Sequence, residues 1–536
     1  MKTSTRIITV SFIGVIILFL IIHACSSHLI RSDYTDINTL LHDAEQQHNK
    51  PFLKAHLKNG DVYILRNEWR YLKGSNTIWG RGTCYDFNRN KKFEGQLMLP
   101  VDSVAIFETN VELKKRESAR IAALSILAAE NLILSAICLS FPKACFGSCP
   151  TFYINPNNDV QFSDAEGFSN AISPSLEYAD IDALNYTLPI PDTFSITMKN
   201  EALETHCVND IKLLACPVKP GERVYNSTGG EYYKCGGNYP LKRAIAAEGE
   251  VTARLKVEDH VERFSLADEN DLSSKEEIIL DFGILNKTGN FGFVLNFRQT
   301  LMTTYFIYSA IGYMGDEVSD VFAKLELDAG AREKLKTGIK SKLGNIDIYK
   351  WNNKTSQWEY LNGFYETGPV AINKQLISLR LESSQEPVKF KMVLNKGLWR
   401  LDYVTLTELK EKVNPVTISP VNITNKGKID QLALSEINDP DAYLVSMPGS
   451  EYNFQFILPE KNIRYELFLL SQGYYLEWMR SHWLKDKNLM KLRKMIEYPA
   501  DYLREEAKAY KLYESDMEAQ FWGSRIDTKS FSYHEN

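Results

Sequence analysis

The sequence of 536 residues lacks the motifs that mark several common classes of enzyme. It contains no H-E-x-x-H, no G-x-S-x-G and no Gly-Lys-Ser/Thr phosphate loop, so zinc peptidases, serine hydrolases and nucleotide-binding enzymes are without their signatures. Histidine is scarce, with nine residues, and this leaves few candidates for a general base. We therefore predict no catalytic residue, no cofactor and no metal ligand.

Long clusters of Lys and Arg are also absent, and the formal net charge is -6. Nucleic-acid binding relies on counterion release by basic side chains, so we expect no nucleic-acid partner. The composition, 44% hydrophobic and 24% charged, is that of a folded protein rather than a disordered stalk. A chain of this length exceeds one hydrophobic core, so we expect several domains.

The first residues of the chain have the pattern of an export signal. Lys2 and Arg6 form a short basic region, an apolar stretch runs from Val10 to Ile22, and Ala24-Cys25 precedes polar residues. A basic region, an apolar core and a small residue before the cleavage point are typical of a secretory signal. A cysteine directly after that small residue can accept a diacylglycerol thioether.

The end of this segment resembles the lipobox of bacterial lipoproteins at three of four positions, and His23 is the departure. The resemblance implies lipidation of Cys25 and palmitate-type acyl chains, each buried methylene of which contributes about 0.8 kcal/mol to membrane binding. We expect a protein anchored by lipid in the bacterial cell envelope, at the outer membrane. An uncleaved N-terminal anchor is the alternative, and it also places the rest of the chain outside the cytoplasm.

The remaining chain is predicted to be a mainly β, multidomain fold, with a small β-barrel or roll, β-sandwich-like domains and a helical C-terminal region. Short alternating apolar runs separated by Asn, Gly and Pro predict the strands. The expected segments are a signal at 1–25, a polar tether at 26–50, a small β domain at 51–111, an apolar helix or helical hairpin at 112–141, a cysteine-containing β domain at 142–265, a β-sandwich-like domain with a helical insertion at 266–412, a linker at 413–442, and a short β stretch with helices at 443–536.

The apolar segment and the C-terminal region both contain long runs with helical character. The apolar run 119–139 is long enough to span a bilayer, but Glu130 lies at its centre, where a charge is costly, so a helix buried between domains is favoured over a membrane span. In the C-terminal region Tyr475, Met479 and Trp483 recur every four residues, which predicts a helix from Ile463 to about Gln520.

Cys145 and Cys149 form the sharpest local motif, Cys-Phe-Gly-Ser-Cys-Pro-Thr. Gly147 between them permits a tight turn, and an exported chain can form disulfides, so we predict a Cys145–Cys149 disulfide. The alternative is thiol or copper chemistry, because a C-x-x-x-C-P run resembles that of the Sco-type copper chaperones and His206 could add a nitrogen ligand. The other connectivities among the cysteines stay open.

The same heptapeptide, together with 200–206 (Asn-Glu-Ala-Leu-Glu-Thr-His) and 473–480 (Gly-Tyr-Tyr-Leu-Glu-Trp-Met-Arg), resembles blocks of a group of uncharacterised bacterial lipoproteins. The resemblance covers most of the chain after Leu53. It implies an envelope location and transfers no activity and no catalytic residue.

Acidic residues offer two weaker hypotheses. His206 lies near Glu201 and Glu204 in sequence and could form a metal cluster, although a solvated turn is the more common arrangement. The pairs Asp180/Asp182 and Glu366/Asp402 could serve glycan hydrolysis, which needs two carboxyl groups of different pKa close together. The sequence does not bring either pair together.

The stretch from Leu398 to Val404, with the strands expected before it, resembles the closing strands of galactose-binding-like jelly rolls. That resemblance implies glycan-binding loops, on which Trp351, Trp358 and Tyr360 are candidates for stacking against sugars. We predict a binding or scaffold protein for a glycan or an envelope protein partner. The alternatives are a glycan hydrolase and thiol or copper handling through Cys145 and Cys149.

Overall fold

The structure is a computed structural model. It describes residues 29–518 except for the stretches 35, 46–52, 58–60, 67, 86–90, 113–148, 155–162, 185–191, 203, 319–320, 323–327, 366–367, 384, 447, 478–482, 484–485 and 516. The predicted signal, Cys25 and the apolar segment 119–139 therefore lie outside the described residues.

The described chain is mainly β, as predicted. Its first strands are β1 Leu29–Tyr34, β2 Leu53–Leu57, β3 Val62–Leu65, β4 Arg70–Leu72, β5 Thr77–Tyr85, β6 Lys91–Pro100 and β7 Val104–Glu112. The next are β8 Thr151–Tyr153, β9 Ala165–Glu166, β10 Tyr178–Ala183, β11 Thr193–Lys199, β12 Glu204–Val218, β13 Arg223–Ser227, β14 Tyr232–Pro240, β15 Arg243–Ala246, β16 Gly249–Glu250, β17 Arg263–Phe264, β18 Lys275–Ile284 and β19 Gly289–Gln299. The last are β20 Ile346–Asn352, β21 Gln357–Phe364, β22 Asn373–Leu381, β23 Pro387–Asn395, β24 Trp399–Val413, β25 Val416–Ile418, β26 Asn422–Asn425, β27 Lys428–Ile429, β28 Leu444–Ser446, β29 Glu451–Ile457 and β30 Arg464–Glu477.

Seven α-helices accompany these strands in the described residues: α1 Ile37–Glu45, α2 Thr252–Leu255, α3 Met302–Met314, α4 Ala329–Leu343, α5 Gln431–Ile437, α6 Leu489–Glu497 and α7 Pro499–Glu514. The helix α4 lies within the helical insertion, which the sequence predicts from Met314 to Leu343, whereas α3 ends where that insertion was expected to begin. No helix among the described residues has both the length and the apolar character that crossing a bilayer demands.

The first sheet contains β1 to β7, in the order β1-β7-β2-β3-β5-β4 with β6 beside β5. Its core includes Leu53, Trp69 and Phe107, all at most 2% exposed. The segment predicted as a polar tether at 26–50 contains β1, which pairs with β7, and α1, which buries Leu40 in this core. Apolar residues at 37, 40, 41 and 44 have helical spacing, and that signal was available in the sequence.

A second pair of sheets encloses the core of the cysteine-containing region. One sheet has the order β10-β30-β12-β25 with β28 beside β12, and the other has the order β27-β26-β29-β11-β8-β9. The long strands β12 and β30 pair antiparallel from Glu204↔Glu477 to Val218↔Arg464. The predicted helix from Ile463 to Gln520 was therefore wrong up to Glu477, and the next helix among the described residues is α6, from Leu489. A strand that is buried on both faces has a continuous apolar run. Such a run does not distinguish a buried strand from a buried helix.

The last pair of sheets forms a sandwich around the largest core. One has the order β14-β13-β22-β19-β24-β17 and the other the order β16-β15-β18-β23-β20-β21. Phe282, Phe293 and Phe390 meet between them, with ring centroids 5.1–6.3 Å apart. Residues of α3, α6 and α7 extend the same core beyond the sandwich.

The predicted segment boundaries do not separate these sheets. The predicted linker 413–442 contains β25, which pairs with β12, and β26, which pairs with β29. β30 lies beyond the predicted boundary at 443 yet pairs with β12, and β14 lies before the boundary at 265 yet pairs with β24. Strand pairing is non-local, so composition along the chain does not show it.

Gly473 is required by the pairing of β30 with β12. A Cβ atom at this position would lie 2.3 Å from the carbonyl oxygen of Cys207, next to the β-bulge between Val208 and Asp210. We expect Gly473→Ala to lower the free energy of unfolding by about 1–3 kcal/mol, because the backbone must shift to admit the methyl group. Denaturant titration measures this, with Gly74→Ala as control, where a Cβ would meet nothing within 4 Å. Equal stability of both variants would contradict the expectation.

Candidate functional site

Of the three cysteines with a predicted modification, Cys25, Cys145 and Cys149, only Cys149 is among the described residues. Cys25 and Cys145 lie outside the described residues, so lipidation and the Cys145–Cys149 disulfide stay predictions. Cys149 is 5% exposed, just before β8. Burial, reinforced by the charge of Glu166, raises the pKa of its thiol well above the ordinary value. As a free thiol Cys149 would therefore form little thiolate, the form that reacts and binds metal.

No disulfide joins two of the described cysteines, which are Cys84, Cys149, Cys207, Cys216 and Cys235. All five are buried. Burial also raises the pKa of Cys216 and of Cys235 to about 12. The described thiols are thus held as small apolar side chains in the sheets.

His206 is buried on β12 and makes a local contact. Its Nε2 lies 2.8 Å from Oε1 of Glu204, two residues earlier on the same face of the strand. Glu201 is occupied elsewhere, since its Oε2 accepts hydrogen bonds from the hydroxyls of Thr151 at 2.8 Å and Tyr153 at 2.7 Å. Within the described residues no three His, Cys, Asp or Glu side chains are placed to hold a metal ion.

The structure brings Asp180 and Asp182 together on β10 and adds Glu166 of β9, which sequence reasoning missed. The backbone N–H of Glu166 donates to Oδ2 of Asp182 at 2.8 Å. Oε2 of Glu166 accepts from the backbone N–H groups of Val370 and Ala371, the latter at 2.9 Å. No motif surrounds Glu166, and its role depends on a loop 200 residues away in the chain, so the sequence carries no signal for it.

We call these three carboxyl groups the acidic cluster. Burial is the main cause of their raised pKa values. It raises the pKa of Glu166 to about 8 and that of Asp180 to about 6. Asp180 is shifted less and retains some exposed surface. The pKa of Asp182 is also well above the ordinary value, through burial and then the charges of Asp180 and Glu166.

A glycosidase requires its two carboxyl groups to face the sugar. Glu166 and Asp182 are 1% and 4% exposed, and their contacts are with backbone of neighbouring strands and loops. The acidic cluster therefore serves to join β9, β10 and the loop before β22. In the second predicted pair Glu366 lies outside the described residues, and Asp402 is 1% exposed with a pKa raised by burial.

Four aromatic side chains lie on the hairpin of β20 and β21, and we call them the aromatic patch. Trp351 pairs across the strands with Trp358, and Tyr349 pairs with Tyr360. The ring centroids of the two pairs are 5.1 and 5.4 Å apart, in edge-to-face geometry. The prediction that Trp351, Trp358 and Tyr360 lie on loops was wrong, because aromatic residues at alternate positions favour strands.

The aromatic patch faces outward at the edge of its sheet. The core side of β20 is formed by Ile346 and Ile348, whereas Tyr349 and Trp351 are half-buried and Tyr360 is 54% exposed. Lys391 of the neighbouring strand β23 lies over the patch, with Nζ 5.3 Å from the ring centroid of Tyr349. The same ammonium is 2.9 Å from Oε1 of Glu277. The patch therefore combines apolar ring surface with charged hydrogen-bonding groups.

The stretch 398–404, which resembles a jelly-roll strand in sequence, packs in the core of the sandwich. Trp399 and Leu401 are 2% and 0% exposed in β24. The ring of Trp399 contacts Phe297, with centroids 5.9 Å apart. Trp399 therefore packs the sandwich core rather than an exterior binding surface.

A cavity of about 390 Å³ lies where α3, α4 and α6 meet the β structure. Its lining is mostly apolar, with side chains from three helices and from the start of β24. The apolar members are Ile172, Leu176, Phe306, Ile307, Ala310, Ile339, Leu343, Leu398, Trp399, Leu492, Met495 and Ile496. This volume and this kind of lining are typical of small-molecule sites.

Comparison with known proteins does not assign a family. No protein-family model matches the chain, and no curated protein matches it in sequence. Among solved structures, a GH31 α-xylosidase from Xanthomonas citri aligns over 80% of this chain at 7% identity and a TM-score of 0.14. The alignment spans 33% of the α-xylosidase.

Two further solved structures are similarly distant. That of infectious bursal disease virus Gt strain aligns over 65% of this chain and 96% of its own at 8% identity, with a TM-score of 0.13. Dimeric latent PorU from Porphyromonas gingivalis aligns over 84% of this chain and 32% of its own at 8% identity, with a TM-score of 0.12. Similarities at these scores carry no argument about fold or function.

Proposed function

We propose that this protein is a lipid-anchored binding protein of the bacterial cell envelope and that it binds glycan through the aromatic patch. The observation that carries the proposal is the pairing of Trp351 with Trp358 and of Tyr349 with Tyr360 on one outward face. Aromatic rings present a rigid apolar surface at low entropic cost, and the C–H faces of sugar rings stack on such surfaces.

Polar groups at the patch supply the second requirement of glycan binding. A sugar needs hydrogen-bond partners for its hydroxyls beside the stacking surface. Lys391 and Glu277 lie at one side of the patch, and Asp347 is two residues before Tyr349 on the same strand. Burial raises the pKa of Asp347, opposed by the charge of Lys275.

The predicted lipid at Cys25 supports the same function. A lipid-anchored protein outside the cytoplasm is held next to envelope glycans, so a weak binding surface is effective there because the local concentration is high. The alternatives have less support: the acidic cluster is enclosed, and the raised pKa of the Cys149 thiol opposes thiol or copper chemistry.

The test is binding of the purified full-length protein to peptidoglycan and to insoluble polysaccharides such as chitin and cellulose. We expect Trp351→Ala/Trp358→Ala to weaken binding at least tenfold, which corresponds to about 1.4 kcal/mol. Tyr360→Ala should weaken it in the same direction with little effect on thermal stability, since this side chain is 54% exposed.

Tyr498→Ala is the matched control, because Tyr498 is 58% exposed and lies between α6 and α7. Binding that is equal in the wild type, the patch variants and the control would overturn the proposal. Capture of an envelope protein that depends on the patch, without glycan binding, would replace glycan by a protein partner.

A further inference from the structure

The cavity between α3, α4 and α6 is separate from the aromatic patch. None of the four aromatic residues of the patch lines it. A methylene group and a water molecule have similar volumes, on the order of 30 Å³. A space of about 390 Å³ therefore corresponds to about 13 methylene groups. A cavity with so apolar a lining favours hydrocarbon over ordered water.

The polar residues of the lining have an uneven charge distribution. Lys334 and Lys340 of α4 line the cavity and are exposed to solvent. On the β side the carboxylate of Glu177 accepts hydrogen bonds from the hydroxyl of Tyr443 at 2.7 Å and from Nε2 of Gln472 at 3.0 Å. Glu177 is thus hydrogen-bonded within the protein, and Lys334 is an exposed residue of the lining.

We propose that this cavity binds a single-chain anionic amphiphile, with its hydrocarbon chain among the apolar side chains and its carboxylate or phosphate beside Lys334. A fatty acid is the simplest ligand of this chemistry. The site lies next to the smaller space lined by Cys149 and Tyr475, with which it shares Ile307 and Gln299. The proposal does not depend on glycan binding by the aromatic patch.

Calorimetric titration of the purified full-length protein with dodecanoate tests the proposal. The heat of adding dodecanoate to the same detergent-containing buffer without protein is subtracted. We expect Ile307→Trp to weaken binding at least tenfold, because the larger side chain fills the space that the hydrocarbon chain needs. Lys334→Ala should weaken dodecanoate binding about three- to tenfold and leave dodecanol binding unchanged, because only the carboxylate interacts with the ammonium group. Lys342→Ala is the matched control, since Lys342 is exposed on the same helix and does not line the cavity.

Several outcomes would overturn the proposal. If Ile307→Trp has wild-type thermal stability and binds dodecanoate with unchanged affinity, the hydrocarbon chain of the ligand binds elsewhere. Equal loss in Lys334→Ala and Lys342→Ala would show a general charge effect. Stronger binding of dodecyltrimethylammonium than of dodecanoate would assign head-group selection to Glu177 and exclude an anionic ligand. If Ile307→Trp does not fold, the comparison of Lys334→Ala with Lys342→Ala still decides.

Discussion

Replacement of Arg298 by methionine is expected to lower the free energy of unfolding by about 3–5 kcal/mol, the usual effect of removing one partner from a buried ion pair. Arg298 is 1% exposed at the end of β19. Its Nε and Nη2 donate to the two carboxylate oxygens of Glu262 at 2.5 and 2.6 Å, and Nη1 donates to the carbonyl of Pro369 at 2.8 Å. Without the guanidinium, the side chain of Glu262, 6% exposed, loses its bidentate partner.

The same guanidinium holds the residues after α7. Nη1 and Nη2 of Arg298 lie 3.2 and 3.3 Å from the carboxylate oxygens of Glu518. Burial acts to lower the pKa of Arg298, but Glu262 and Glu518 outweigh it, so this pKa is above its ordinary value and the charge is retained. We therefore expect Arg298→Met also to speed proteolysis near Glu518.

Denaturant titration followed by tryptophan fluorescence measures the change in stability. Arg66→Met is the matched control, because Arg66 and Glu94 form an exposed pair at 3.9 Å, with side chains 70% and 50% exposed. Exposed pairs contribute about 0–1 kcal/mol. A loss below about 1 kcal/mol for Arg298→Met would show that the buried network adds no net stability.

Stability is expected to fall as the pH rises from about 5 to about 8, by about 4 kcal/mol from Glu166 alone. Burial raises the pKa of this carboxyl from 4.5 to about 8. Between these values the folded protein holds a proton that the unfolded chain has released. The stabilisation is therefore complete below the ordinary pKa and is lost as the pH rises through the raised one. Asp180, raised from 3.8 to about 6, acts in the same direction over a lower range.

Glu166→Gln separates this effect from other titrations. The amide is neutral at every pH, and its oxygen can still accept the backbone N–H groups of Val370 and Ala371. The variant should therefore lose most of the pH dependence and be more stable than the wild type at pH 8. Glu460→Gln, at an exposed position, is the control. Unfolding free energies at pH 5, 6.5 and 8 measure the effect, and wild-type stability that is constant or rises with pH contradicts it.

The sequence predicted the strands of the sandwich well because each is a local pattern. Apolar residues at alternate positions in β18 and β23, bounded by turn residues, identify both strands and their buried faces. The same reasoning was wrong for β30, where Leu467, Phe468 and Leu469 are all buried, so that no alternation distinguishes strand from helix. It was also wrong for β25 and β26, which are strands of only three and four residues.

The residues of the candidate sites likewise divide into those with a local sequence signal and those without one. Trp351, Trp358 and Tyr360 were named from the sequence through the jelly-roll resemblance, but they were placed on loops and Tyr349 was not named. Aromatic residues at alternate positions on each side of a short turn are the local signal that indicates a hairpin here. Glu166 was not found, since its pKa depends on burial, on the backbone before β22 and on the charge of Asp180 of β10. The cavity depends on three helices that are far apart in the chain, α3, α4 and α6, so its lining residues share no local sequence pattern.

Composition and local patterning by themselves determined a mainly β protein and predicted an N-terminal export signal, because both depend on neighbours a few residues apart. Only the tertiary structure decided which strands share a sheet, which carboxyl groups are buried together and where a cavity remains. Those features depend on desolvation and on contacts between distant residues, and both exist only after the chain has folded.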